Sequence, residues 1–353
     1  MQRILIIGAG LIGAALAYRL SPTAHVTVIE AAHPAAGASG AAFGWINASF
    51  FHSPAHFNLR REAIAAHHRL DATLTTGTTW QGCLWWEVAG DAQHAQAQTL
   101  RDLGYQVEPL THAQIAAREP HLNAPANCLY FPAEGAVDAR HLTQTLLTAS
   151  GAQVWNGCPV LGVVTTAGRA TGIRTAQGTV PADHVILAAG TACPGLLAPL
   201  GLTLPMQTRP GLILRTKPVN ARLTHILASP AQELRQDPAG RLIAPLSASH
   251  QTDDTDTVTT LPGDLAHSAL TRLQTLLPGV AMTVADITLA HRPVPGDGLP
   301  AVGATGIPGL SLAVLHSGVT LGPLVGELLS GEVLTGDPAP LLKDFRPTRF
   351  FPT

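Results

Sequence analysis

The sequence predicts an α/β protein in which a domain with a parallel sheet opened by a glycine-rich turn is interleaved along the chain with a smaller domain built on a mainly antiparallel sheet. Three observations predict it. The chain begins with a fully apolar run, Ile4 to Ile7, followed at once by Gly8, Gly10 and Gly13. A second apolar run, "HVTVIE", ends on the acid Glu30. Further on, short runs such as "RPGLILRT" and "GRLIAPLSAS" alternate with turn residues and lack any such glycine signature.

Each element of the first unit has a physical job. Ile4 to Ile7 is β-branched and leucine-rich, as expected of a strand buried on both faces of a parallel sheet. Ala14 to Leu20 reads as a helix that stops before Ser21-Pro22, and His25 to Glu30 as the next strand. In the resulting Rossmann-like G-x-G-x-x-G turn, Gly8 permits the bend, Gly10 lets backbone approach a pyrophosphate and Gly13 lets helix and strand pack. The helix N-terminus offers unpaired N–H groups and a positive dipole end to phosphate, and Leu11 and Ile12, in the turn that leads into it, are further cofactor candidates. Glu30, with Ala31 beside it, accepts from a ribose diol and repels a 2′-phosphate. The bland reading of a lone glycine triplet is an ordinary strand-to-helix turn. Strand, helix and acid in register favour the dinucleotide.

Composition bounds the rest. At 353 residues the chain suggests two domains. With 46% hydrophobic and 12% charged residues it is globular. A formal charge of −2 from 21 basic and 23 acidic residues gives no field for nucleic acid or an anionic membrane, so a small molecule is the expected partner. Cys83, Cys128, Cys158 and Cys193 are far apart and form no C-x-x-C pair, so no metal is expected. The apolar N-terminus is read as the nucleotide turn and not as a signal sequence or membrane span, which predicts a cytoplasmic protein.

The loop "AAGASGAAFGWINASF", Ala35 to Phe50, places small residues where a chain can lie along an extended cofactor, then brings aromatic and amide groups. Ser39, Gly40 and Ala41 are its cofactor candidates, Ser39 as a donor to phosphate; the plain alternative is a linker. Together with "EGAVDARHLTQTL", "HVILAAGTACPGLLAPLGL", "HRPVPGDGLPAVG" and "GLSLAVLHSGVTLGPLVGELL", this loop resembles the D-amino-acid oxidase, glycine oxidase and sarcosine oxidase family of FAD-dependent amine oxidoreductases. The likeness runs over most of the chain.

The resemblance implies a discontinuous FAD-binding domain of residues 1–78, 134–205 and 290–353, and a substrate domain of residues 79–133 and 206–289. It implies a backbone contact to adenine at Val163 and packing of Ala189 and Gly190 against the cofactor. It implies contacts from Ser317, Gly318, Val319 and Thr320 to the flavin. The helical stretch "LAHSALTRLQTLLPG" is expected to pack on the substrate-domain sheet through its apolar positions.

Arg292 is the arginine of "AHRPVPGDGLPAVG". It cannot discharge, and a substrate carboxylate would satisfy its planar fork with two parallel hydrogen bonds; in the resembling enzymes the arginine of this pair does that. The bland reading pairs it with Asp286 or Asp297 or leaves it at the surface. His291 and His316 are candidates for tuning the substrate amine or the flavin.

Three features depart from the family pattern. Leu315 stands where a glycine is common, Pro245-Leu246-Ser247 replaces a Gly-x-Thr strand, and Tyr18, Tyr105 and Tyr130 form no pocket pair. No cysteine follows Cys193, which implies non-covalent FAD. The function expected is oxidative deamination of a small amino acid or secondary amine carrying a carboxylate. The alternatives are oxidation of a 2-hydroxy acid or polyol, and a non-catalytic flavoprotein subunit of a larger dehydrogenase. The electron acceptor, oxygen or a redox partner, is left open, as are substrate stereochemistry and homo-oligomer formation.

Overall fold

In the computed structural model the described residues are 1–247 and 256–351. Ala248 and Ser249, the last residues of the expected strand "GRLIAPLSAS", lie outside them, as do the last two residues of the expected FAD-binding segment.

A six-stranded sheet organises one half of the molecule. Its order is Ala301–Ala304, Leu310–Val314, His184–Leu187, Arg3–Ile7, His25–Ile29 and Gln153–Trp155. All neighbours run parallel except Ala301–Ala304 on Leu310–Val314. The apolar run of Arg3–Ile7 is explained by its two faces: Ile4 and Ile6 enter one core, Leu5 and Ile7 the other. Side chains alternate across a strand, so a run without polar residues is what a doubly covered strand requires.

On the first face lie the helices Leu11–Leu20, Ala139–Ser150 and Gly318–Thr335. On the second lie the antiparallel meander Val160–Thr166, Arg169–Thr175, Gly178–Pro181 and the short helix Cys193–Leu197.

The second half is an eight-stranded sheet ordered Val284–His291, Pro210–Pro218, Arg241–Pro245, Glu233–Gln236, Ile226–Ala228, Cys83–Trp85, Asn127–Phe131 and Glu108–Thr111. Every neighbour pair in it is antiparallel except Ile226–Ala228 with Cys83–Trp85. The α/β architecture expected from sequence, a mainly parallel sheet beside a separate and mainly antiparallel one, is the one found. The helix Pro262–Leu276 buries Ala266, Ala269, Leu273 and Leu276 in the core under this sheet, at the helical spacing the sequence shows.

Leu11–Leu20 and Gly318–Thr335 approach unusually closely. A Cβ at Gly326 would lie 2.9 Å from Ala15 Cβ, and one at Gly322 would lie 3.2 Å from Leu11 Cγ. Small residues therefore set the spacing, and with it the relative position of the two helix N-termini. Pro323 sits inside the later helix and removes the donor that would bond Val319. His67 replaces it, its Nε2 donating to Val319 O at 2.9 Å and standing 3.2 Å from Thr320 O. Burial holds His67 down to about 4, so the ring stays neutral with its proton on Nε2.

Gly326→Val forces this contact apart. It is expected to cost about 1–3 kcal/mol, read as a lower midpoint in urea unfolding; an unchanged midpoint would show that the helices tolerate wider spacing.

Candidate functional site

The N-termini of both helices open on one cavity of about 930 Å³, which runs between the two sheets. At one end it is walled by Gly8, Gly10, Glu30, Ala31 and Cys158. Gly8 has a φ of +106°, and a Cβ there would lie 2.5 Å from Ala188 O, so only glycine lets the two strand ends converge. Glu30 is pinned by its own N–H, which donates to Trp155 O at 2.8 Å. Its carboxylate accepts from the Ala9 N–H at 2.8 Å and the Ala32 N–H at 2.9 Å. One lone pair on each oxygen is left for a ribose diol.

Of the residues picked from sequence, Leu11, Ile12, Ser39, Ala41, Ala189 and Gly190 also line this cavity. Ser39 Oγ accepts from the Leu11 N–H at 2.9 Å, so it caps the first turn and keeps only its hydroxyl proton to donate to phosphate. Three picks lie off the wall. Gly13 packs under the turn, where a Cβ would meet Gly8 O at 2.0 Å, which is the packing role expected of it. Gly40 is wedged between Ala35 O and the Arg140 guanidinium, behind the loop surface. Val163 is a correction: the wall is built by Pro159, Val160 and Leu161, while Val163 pairs with Ile173 and packs on the second core.

The other end gathers Arg292, His291, His316 and Ser317–Thr320 with Trp45, Gly211–Ile213, Pro245 and Leu289. Arg292 is anchored by its N–H on Arg209 O at 2.8 Å, with Nε and Nη2 each 3.4 Å from the carbonyls of Arg209 and Pro210. The acids considered as its internal partners are taken elsewhere: Asp286 pairs with Arg215 at 3.2 Å and Asp297 with Arg349 at 2.7 Å. His291 is exposed at the rim, and His316 Nδ1 is 3.2 Å from Ser317 Oγ. All three tyrosines are off the wall.

Sequence reading missed Arg60. It is 2% exposed and lies in the same wall as Asn47. Its Nε donates to Asn47 O at 3.1 Å, Nη2 to Asn47 Oδ1 and Nη1 to Ser317 Oγ at 2.8 Å. Asn47 stood in the aromatic and amide loop noted above; nothing local marked Arg60 in a helix of mixed polarity.

Behind this wall Glu134 is fully buried and accepts from Trp45 Nε1 at 2.9 Å, the Ser49 N–H at 3.2 Å and Tyr105 Oη at 3.1 Å. Burial pushes its carboxyl up to about 7, against the pull of those donors. His56 moves the other way: burial, then the charges of Arg60, His52 and His316, hold it down to about 2.

The signs follow from linkage. Glu134 binds its proton more tightly folded than unfolded, so its contribution is full below about 4.5 and is lost as pH rises towards 7. His56 and His67 are protonated more readily unfolded, so their effect rises with pH up to 6.5. Glu134→Gln should remove a negative slope of up to about 1.4 kcal/mol per pH unit between pH 4.5 and 7. Denaturant melts across that window read it. Parallel curves for the two proteins would mean that Glu134 takes up no proton on folding.

Comparison with known proteins agrees with this geometry. Residues 3–331 match the DAO family, described as FAD dependent oxidoreductase. A glycine oxidase of Pseudomonas putida is 29% identical over 215 residues, 59% of this chain and 58% of its own length. A D-amino acid dehydrogenase of Paramagnetospirillum magneticum is 30% identical over 240 residues, 64% of this chain and 56% of its own. The chain thus aligns with less than two thirds of either relative. In fold, it superposes on glycine oxidase from Geobacillus kaustophilus with a TM-score of 0.86 over 100% of both chains at 23% identity. With a glycine cradle at one end and the orphaned Nδ2 of buried Asn47 at the other, the cavity fits the cofactor of that family, and the chain belongs to the FAD-dependent oxidoreductases of the DAO family.

Proposed function

We propose that the protein oxidises a small amino acid or secondary amine that carries a carboxylate, held in the cavity by Arg292. The carrying observation is that Arg292 lines the same cavity as the glycine turn, although Gly8 lies at the other end of the sequence. Two relatives named for amino acid substrates support the reading.

In this reading Gly8, Gly10, Leu11 and Ser39 hold the pyrophosphate of FAD, Glu30 holds the ribose, and Ser317–Thr320 lie against the ring. FAD supplies a hydride acceptor for the substrate α C–H, after which water hydrolyses the imine product. Arg292 fixes the carboxylate through its fork and so orients the α carbon. The buried Ile213 and Pro245 keep water from the amine side. His291 at the rim and His316 beside Ser317 are placed to hold or release the amine proton. The segments 1–78, 134–205 and 290–353 then form the FAD half, and 79–133 with 206–289 the substrate half.

Anaerobic bleaching of the yellow protein tests this with D-amino acids, glycine derivatives, N-methyl amino acids, cyclic imino acids and 2-hydroxy acids. Bleaching by one amine class is expected, with Arg292→Met lowering kcat/KM about a hundredfold. Bleaching by 2-hydroxy acids alone, or by none of the panel, would overturn the amine reading.

The four cysteines are buried, and only Cys158 reaches the cavity wall, at the end assigned to the ribose. Acid precipitation is therefore expected to release yellow FAD to the supernatant and leave a colourless pellet. A yellow pellet would show a covalent link.

A further inference from the structure

Arg60 is a buried cation whose hydrogen bonds all go to neutral oxygens: Asn47 O, Asn47 Oδ1 and Ser317 Oγ. Glu134 acts on it through space, but the oxygens of Glu134 are held by Trp45, Ser49 and Tyr105. Burial lowers Arg60 to about 10, which leaves it charged near neutral pH. Such a charge costs several kcal/mol unless another group recovers it.

Two donor sets owe their direction to this side chain. Arginine has no acceptor, so Asn47 must turn Oδ1 towards it, and Nδ2 then faces away. Asn47 is 1% exposed, its Nδ2 has no partner, and the residue is part of the cavity wall. Ser317 precedes the last helix, where a serine ordinarily accepts from its own first turn. Here it caps nothing: it sits at φ +59° with Oγ given to Arg60. The N–H groups of Gly318, Val319 and Thr320 have no intrahelical partner and belong to wall residues. One side chain thus fixes the direction of an amide within the wall and leaves the helix N-terminus beside it without a side-chain cap, at the same end of one cavity.

Which part of FAD meets that end follows from order along the cavity. The glycine turn and Glu30 take pyrophosphate and ribose, so the isoalloxazine ring falls at the end holding Asn47, Ser317 and Arg292. We propose that Arg60 is a positioning residue that makes this wall cationic and donor-rich, and so favours the reduced over the oxidised flavin ring. Reduction by two electrons and one proton leaves one net negative charge on the ring, which a fixed cation and preset donors stabilise. The inference rests on FAD and not on the amine reading, because dithionite reduces bound flavin without substrate.

The test uses FAD-loaded protein. The midpoint potential is measured by dye equilibration, and sulfite affinity is measured by titration of the oxidised flavin, since the adduct also leaves the ring negative. Arg60→Met should weaken the preference for reduced flavin about tenfold, about 30 mV for a two-electron couple. The sulfite Kd should rise by a similar factor. Arg60→Lys, which keeps the charge, should recover part of both, and Asn47→Leu should shift both in the same direction as Arg60→Met. If Arg60→Met does not retain FAD, Asn47→Leu decides alone. Loaded variants with wild-type potential and sulfite affinity would overturn the proposal and leave Arg60 as a packing residue.

Discussion

The close approach of the helices Leu11–Leu20 and Gly318–Thr335 is the constraint on which the rest depends. Their contact is made by glycines and alanine, where a single added Cβ at Gly326 would overlap Ala15. Because side chains do not hold the axes apart, the two N-termini, from opposite ends of the sequence, open on one cavity. Each brings its positive dipole end to that cavity. Pro323 would weaken the second helix just where it matters, and the neutral His67 ring repairs that gap from a third helix, Pro54–Asp71.

That third helix also carries Arg60, so it both props the last helix and sets the charge at its tip. The buried polar groups around it form a graded set. Glu134 is stabilised by three donors yet pushed up to about 7, while His56 and His67 are pushed down. Burial is the largest cause in every case. A cation without a carboxylate hydrogen-bond partner is costly in such surroundings, and it is tolerable only where three oxygens and a neighbouring acid share its field. Sites that keep such a cost next to a ligand cavity are where functional electrostatics are expected.

The fold was legible because its signals are local. Ile4 to Ile7, the glycine triplet and Glu30 lie within one short stretch, and periodicity alone separates the helix Pro262–Leu276 from the strands around it. The place of Arg292 in the cavity wall was legible for a different reason, since an arginine beside a Pro/Gly-rich turn in a charge-poor region stands out. Val163 was misplaced because it was carried over from the resemblance, and a resemblance does not say which residue of a strand reaches a cavity. In the structure Val160 and Leu161 of that strand line the cavity, and Val163 packs on the second core.

Arg60 shows what such reading misses in principle. Its role is defined by Asn47, 13 positions before it, and by Ser317, 257 positions after it. On its own helix it is one of two adjacent arginines, with nothing to separate the buried one from its neighbour Arg61. Only the packing of the third helix under the last decides which of the two enters the core. That decision converts an ordinary serine N-cap into an uncapped helix end, and it converts an ordinary asparagine into a donor with a fixed direction. The chemistry of this end of the cavity is therefore a tertiary property, created where three helices meet and written in no single segment of the chain.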